Sequence, residues 1–275
     1  MPYAPAGDVE IYYEELGDRS GPALLLIAGL GAQLISWHDE FCYGLADRGF
    51  RVLRFDNRDS GLSTILGPDA SYTLSHMAAD AVAVLDAAEV DAAHVVGHSL
   101  GGMIAQAIAI EHPTRVLTLT SISSTTGNPE VGRATVEALQ AMSLPIATTI
   151  DEAVERDVAA RRVWASPSWF DEDEARAYFR RVHERSFTPG AALRQIHAVL
   201  TADDREPLLA QLDVPTLVIH GALDPLVSLD GGRRTAEVIP GAELLVIDDM
   251  AHDLPVQVWQ QVISAITALA AGVAG

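Results

Sequence analysis

The stretch Val95-Val96-Gly97-His98-Ser99-Leu100-Gly101-Gly102-Met103-Ile104 restricts the folds open to this chain more than any other. It reads as a buried strand, a tight turn built round a serine, and the first turn of a helix. Gly-x-Ser-x-Gly in that setting is a nucleophile elbow, in which a strained strand-to-helix turn lifts the serine oxygen above the sheet edge. Glycines flank the serine because strand and helix run too close for side chains, and the serine backbone takes a sparsely populated conformation. By itself the pattern is weak, arising by chance about 0.1 times in a chain of this composition. Its context decides its meaning.

The flanking sequence supplies a sheet for the elbow to stand on. Val9 to Tyr13 alternates as a strand near a sheet edge, and Ala23 to Ala28 is a continuous apolar run bounded by Gly21-Pro22 and Gly29. Such a run is what a strand covered by helices on both faces looks like. A helix is expected over Ile35 to Arg48, a strand over Arg51 to Phe55, and a helix over Leu74 to Ala88 with Met77, Ala81, Val84 and Leu85 on one side. Ala93 to Val96 and the helix from Leu100 to Ile110 form the elbow unit, Pro113 closes that helix, and Val116 to Ile122 is another buried strand. The strand rhythm resumes at Pro215 to His220 and at Glu243 to Ile247, before a last helix from Val256 to Leu269.

Between 127 and 206 no strand is evident, and the segment turns helical, charged and aromatic. Two of the chain's four tryptophans (Trp164, Trp169) and three of its six phenylalanines (Phe170, Phe179, Phe187) fall there, with Tyr178. The expected architecture is therefore α/β: a doubly wound, mainly parallel sheet built from residues 1–126 and 207–275, with a helical cap inserted at 127–206. Ligands of such sheets bind at the carboxyl ends of the strands, where Ser99 sits.

Charge narrows the function. Acidic residues outnumber basic ones 38 to 18, a formal net charge of -20, which disfavours nucleic acid and anionic membranes as partners. All 18 basic residues are arginine, so Schiff-base chemistry and a P-loop lysine are excluded. The single cysteine, Cys42, precludes an internal disulfide and a multi-cysteine metal site and suits a reducing compartment. The opening Met1-Pro2-Tyr3-Ala4-Pro5 lacks the basic-then-apolar pattern of a secretory signal, and the run from Val262 to Gly275 is too short to span a bilayer. A cytoplasmic location is expected, and nothing here bars a homo-oligomer.

A serine hydroxyl is a poor nucleophile at neutral pH and needs a base with a group to orient it. Both belong on loops after later strands, in the order Ser, acid, His. Asp224 lies in the loop after Ile219, and His252 in the loop after Ile247. The other histidines lie on or beside elements, His220 being the best alternative base, while Asp248, Asp249 and Asp253 flank His252 too closely to face its ring. The oxyanion formed on attack needs fixed donors, which we assign to the amides of Leu100 and of Leu30 in the turn Gly29-Leu30-Gly31. Gly29, His98, Trp164, Trp169 and Phe170 are the candidate substrate contacts, though the cap aromatics read equally well as structural helix packing.

At this point the chain resembles the α/β-hydrolase superfamily over nearly its whole length. The resemblance is carried by Gly29-Leu30-Gly31, Asp56-Asn57-Arg58-Asp59-Ser60-Gly61-Leu62-Ser63, the elbow, His112-Pro113-Thr114-Arg115-Val116, Gly221-Ala222-Leu223-Asp224-Pro225 and Met250-Ala251-His252. Asp59 stands where the family's turn has glycine; with the opening Gly7-Asp8-Val9-Glu10 it looks most like the aclacinomycin methylesterase group. That resemblance implies a cofactor-free enzyme that removes a methyl ester from a polyketide. Ala28 and Ala251 depart from the family's usual histidine and glycine. The expectation is a serine hydrolase that cleaves a small-molecule carboxylic ester through an acyl-enzyme on Ser99. Enol-lactonase, carbon-carbon hydrolase and perhydrolase share that triad. A ligand receptor on the same fold is the non-catalytic rival. Serine at the elbow argues against haloalkane dehalogenases and epoxide hydrolases, which use aspartate there.

Overall fold

The computed structural model describes residues 3–273. Met1 and Pro2 of the opening segment and the last two residues of the Val262 to Gly275 run lie outside the described residues. Eight strands form one sheet in the order β1-β2-β4-β3-β5-β6-β7-β8. These are β1 (Tyr3–Ala6), β2 (Val9–Leu16), β3 (Ala23–Ile27), β4 (Arg51–Phe55), β5 (Ala93–His98), β6 (Val116–Ile122), β7 (Thr216–Gly221) and β8 (Glu243–Ile247). β3 to β8 run parallel, and β1 and β2 are antiparallel to their neighbours at one edge. This is the doubly wound, mainly parallel sheet the apolar runs demand.

β3 shows why its sequence is unbroken. Leu25 and Ile27 enter an apolar cluster with α2 (Leu74–Ala87) and α3 (Leu100–Glu111), whereas Leu24 and Leu26 enter a second cluster with α1 (Asp39–Ala46) and α10 (Val256–Ala271). All four are fully buried, each worth about 1.5–3 kcal/mol of transfer free energy.

Between β6 and β7 come α4 (Val136–Met142), α5 (Ile150–Trp164), α6 (Glu172–Arg185), α7 (Ala192–Leu200) and the short α8 (Glu206–Leu209). Thr149 and Asp171 cap α5 and α6, each accepting an amide from the third residue on, and acidic residues fill both first turns.

The structure differs from expectation at four places. The helix expected over Ile35 to Arg48 is a 3-10 turn at Leu34–Ser36 followed by α1, because Asp39 and Glu40 favour a helix start and Gly49, at φ 93, ends the segment. β1 is too short for periodicity to reveal, and Pro5 is tolerated because β1 is an edge. β2 and β5 run on past Tyr13 and Val96. α9 (Leu229–Val238) lacks an apolar stripe because Gly231 and Gly232 face close neighbours: a Cβ on Gly232 would overlap the His220 ring. No helix among the described residues is long and apolar enough to cross a membrane.

Candidate active site

Ser99 joins β5 to α3 with φ 57 and ψ -120, a backbone conformation unfavourable for a residue with a side chain. Its neighbours make that turn sterically feasible. A Cβ on Gly97 would overlap the Gly101 carbonyl, and one on Gly101 would overlap the carbonyl of Ile27. The strained serine is pinned on both sides: its amide donates to the Ile122 carbonyl (2.8 Å), and its carbonyl accepts from the Ser124 hydroxyl (2.8 Å).

The Oγ of Ser99 lies 2.9 Å from His252 Nε2, and His252 Nδ1 lies 2.8 Å from Asp224 Oδ2. With the carboxylate accepting from Nδ1–H, Nε2 is left as an acceptor for the serine proton. The other carboxylate oxygen, Oδ1, accepts the amides of Leu226 (2.9 Å) and Val227 (2.8 Å), fixing its plane. Burial pushes the Asp224 carboxyl up, but the charge and hydrogen bond of His252 and the Val227 amide outweigh it and hold it below the usual carboxylate range.

The expected oxyanion loop lies alongside. Gly29 is so close to the serine that a Cβ there would stand 3.3 Å from Ser99 Cβ, which places the following Leu30 beside the nucleophile. Leu100 is the first residue of α3, where amides have no partner within the helix. His98 Nε2–H donates to the His252 carbonyl (2.8 Å), bracing the backbone of His252 while its ring also borders the cavity. Desolvation, with the neighbouring His252, drives the His98 pKa down to about 3, so the ring is neutral.

His220, the alternative base, is buried beneath the site with Nε2 on the Val227 carbonyl (2.8 Å), away from the serine. Asp248 and Asp249 point to solvent, and Asp253 accepts from the Ser166 amide (2.8 Å) and hydroxyl (2.5 Å).

A cavity of about 920 Å³ opens onto Ser99 and His252, and Gly29, Leu30, His98, Trp164, Trp169 and Phe170 all border it. The sequence-derived contacts therefore meet at one place, under α5, α6 and α7. Trp164 contributes its backbone as well: its carbonyl accepts the His252 amide (3.0 Å).

Several contributors escaped the sequence reading. Arg185 of α6 reaches Asp56 (2.8 Å) and Gln33 (2.7 Å), and Arg194 of α7 makes a two-pronged pair with Asp59 (2.7 and 2.8 Å). Asp59 takes φ 65, the left-handed conformation that the family's glycine would occupy, and also accepts from the Tyr72 hydroxyl (2.8 Å). A buried aspartate at a glycine position was the available signal that a cation had to come from elsewhere.

Fold and site together define a hydrolase: the chain belongs to the α/β-hydrolase fold family, which matches residues 22–257. Within it, the chain is 34% identical to rhodomycin D methylesterases from Streptomyces sp. (strain C5) and Streptomyces peucetius, over 95% of this chain and 95% of each relative. It is also 29% identical to the 3-oxoadipate enol-lactonase 2 of Acinetobacter baylyi, covering 88% of this chain and 86% of that protein. Among solved structures, an enol-lactonase from Burkholderia xenovorans superposes with TM-score 0.79 at 25% identity, covering 98% and 99% of the two chains. The likeness to a methylesterase group carried by the Asp56 turn thus recurs in whole-chain similarity.

Proposed function

We propose that this hydrolase cleaves a carboxylic ester of a small molecule through an acyl-enzyme on Ser99, without a cofactor. One observation carries the reading: the unbroken relay from Ser99 Oγ through His252 to an ionised Asp224, opening onto a cavity of about 920 Å³. His252 takes the Ser99 proton as Oγ attacks the ester carbonyl, and the amides of Leu100 and Leu30 receive the oxyanion. Protonated His252 gives its proton to the departing alcohol. Water, deprotonated by the same histidine, then attacks the acyl carbon and releases the acid and Ser99. Asp224 holds the ring in the required tautomer and stabilises its protonated form.

A methyl ester of a polycyclic aromatic acid is the substrate class we favour, supported by the named methylesterase relatives and by Trp164, Trp169 and Phe170 around the cavity. The segment 127–206 acts as the cap over that substrate. A lactone is the second reading, supported by the enol-lactonase likeness. A cytoplasmic setting belongs to the same proposal, in keeping with the single buried thiol of Cys42.

Hydrolysis of methyl, aryl and lactone substrates by wild type and by Ser99→Ala tests the proposal. Loss of turnover by about 10⁴-fold or more in a folded variant, with Asp224→Asn losing about 10⁴-fold, is the expected result. Ser99→Ala activity equal to wild type would end it.

A further inference from the structure

Gln195 sits on α7 with no exposed surface, yet every hydrogen bond of its amide goes to loops of the sheet domain. Its Oε1 accepts the Gly31 amide at 2.7 Å. Its Nε2 donates to the Arg58 carbonyl at 2.8 Å and lies 3.0 Å from the Ser60 hydroxyl. Burying an amide is costly unless each polar atom is paired, and a leucine would suit an apolar interface better. The pairing here is complete, and all of it falls on two adjacent loops, the one after β3 that lies against Ser99 and the one after β4 beside it.

The bond to Gly31 acts on a specific backbone feature. Gly29 to Ala32 is a turn closed by the Ala32 amide on the Gly29 carbonyl (3.2 Å), with Leu30 at its first corner and Gly31, at φ 64, at its second. With a left-handed second corner, the amide of that corner points away from the turn's own hydrogen bond and needs an outside acceptor. The loop is clamped at its ends, where Asn57 holds the Ala28 carbonyl (3.0 Å) and Asp56 holds the Leu34 amide (2.7 Å). Its middle is held by Gln195. The same helix seats on the turn: a Cβ on Gly31 would stand 3.3 Å from Ala192.

We infer that Gln195 is a positioning residue of the reaction: by accepting the Gly31 amide it fixes the Leu30–Gly31 peptide plane and with it the Leu30 corner of the turn, so that the adjoining Gly29–Leu30 peptide keeps its N–H, the Leu30 amide, at the oxyanion position. This rests on the ester-hydrolase reading, in which Leu30 supplies an oxyanion donor. It makes the seating of α7 a condition for catalysis as well as for closing the cavity. A donor displaced by about an ångström loses transition-state stabilisation while substrate binding is nearly untouched.

The test uses Gln195→Leu, which removes both ends of the amide, and Gln195→Asn, which withdraws the carbonyl by one methylene. Each is assayed on an aryl ester and with an alkylboronic acid that forms a tetrahedral adduct on Ser99. The expected result is a fall in kcat on the order of 10²-fold, KM within about twofold of wild type, and a parallel loss of boronate affinity. Should Gln195→Leu fail to fold, Gln195→Asn supplies the measurement. A folded variant with kcat within about threefold of wild type, or a kcat loss without loss of boronate affinity, overturns the inference. Failure of the parent reading looks different: wild type itself would lack Ser99-dependent turnover, and a fluorophosphonate would leave Ser99 unlabelled.

Discussion

Helices α3 and α6 meet the same cavity but are held in opposite ways. α3 buries nine of its twelve residues, and its start carries Ser99; α6 buries only Val182 of fourteen. What ties α6 to its surroundings is largely polar: Arg185 on Asp56 and Gln33, Gln33 Nε2 on the carbonyls of Val182 (2.9 Å) and Ser186 (3.1 Å), and Arg176 on Glu155 of α5. Close packing gives the nucleophile a rigid seat, which sub-ångström alignment with a base requires. α6, in the cavity roof, is attached to the sheet domain by directional bonds to a few loop atoms. On the function proposed here, the packed half would carry the chemistry and the strapped half would shape the substrate's space.

The largest expected effect attacks the packed half. Gly101→Ala drives a methyl group into the Ile27 carbonyl, a backbone atom in the centre of the sheet that cannot move aside. Overpacking typically costs 1–3 kcal/mol when side chains can adjust, and here none is involved, so about 4 kcal/mol or more is expected. The variant should be insoluble or unfold at much lower urea than wild type, and a wild-type urea midpoint would show that strand and helix are not locked together.

A smaller effect separates the halves at their seam. Asp59→Asn keeps a residue that tolerates φ 65 but leaves Arg194 without its carboxylate and weakens the acceptor for Tyr72. Breaking a buried pair on one side costs about 3–5 kcal/mol when the surviving charge stays buried. Arg194 keeps 17% side-chain exposure, so about 2 kcal/mol is the better expectation. Hydrogen exchange should quicken in α7 and leave α3 protected. Equal quickening in both helices would mean that the two halves open as one unit.

The same contrast explains what the sequence disclosed. β3 to β7 and α3 were readable because burial on both faces leaves few residue choices, and the meeting of Ser99, Asp224 and His252 was readable because the fold fixes which loops can bring them together. α9 was hidden because its glycines answer to His220 and Gly132, neighbours distant in the chain. Gln195, Arg185 and Arg194 were hidden for the same reason: a polar residue on a helix looks solvated until the loop it holds is known. Ser166 showed nothing either, although its hydroxyl donates to Asp253 and accepts the Ala251 amide (2.9 Å), tying the end of α5 to the loop of the base.

The smallest expected effect is a pH dependence that belongs to the packed half. His98 is neutral in the folded protein because burial, then the proximity of His252, lowers its pKa to about 3, whereas in an unfolded chain a histidine titrates near 6.5. Between those values the unfolded state binds more protons, so stability rises with pH and is lost as pH falls from about 6.5 toward 3. His94 and His220, both on buried strands, are lowered by desolvation and act in the same direction, as does His38 in the cavity wall. Restricting the measurement to pH 6.5–5.5 keeps it more than a pH unit above the carboxylate midpoints of an unfolded chain, near 3.9 and 4.3. Urea unfolding should show stability falling across that window, and His98→Gln, which cannot titrate, should flatten the slope by one histidine's share. An unchanged slope in His98→Gln would place the proton uptake elsewhere. It would also make the brace on the His252 carbonyl compatible with a charged ring, contrary to the neutral donor described above.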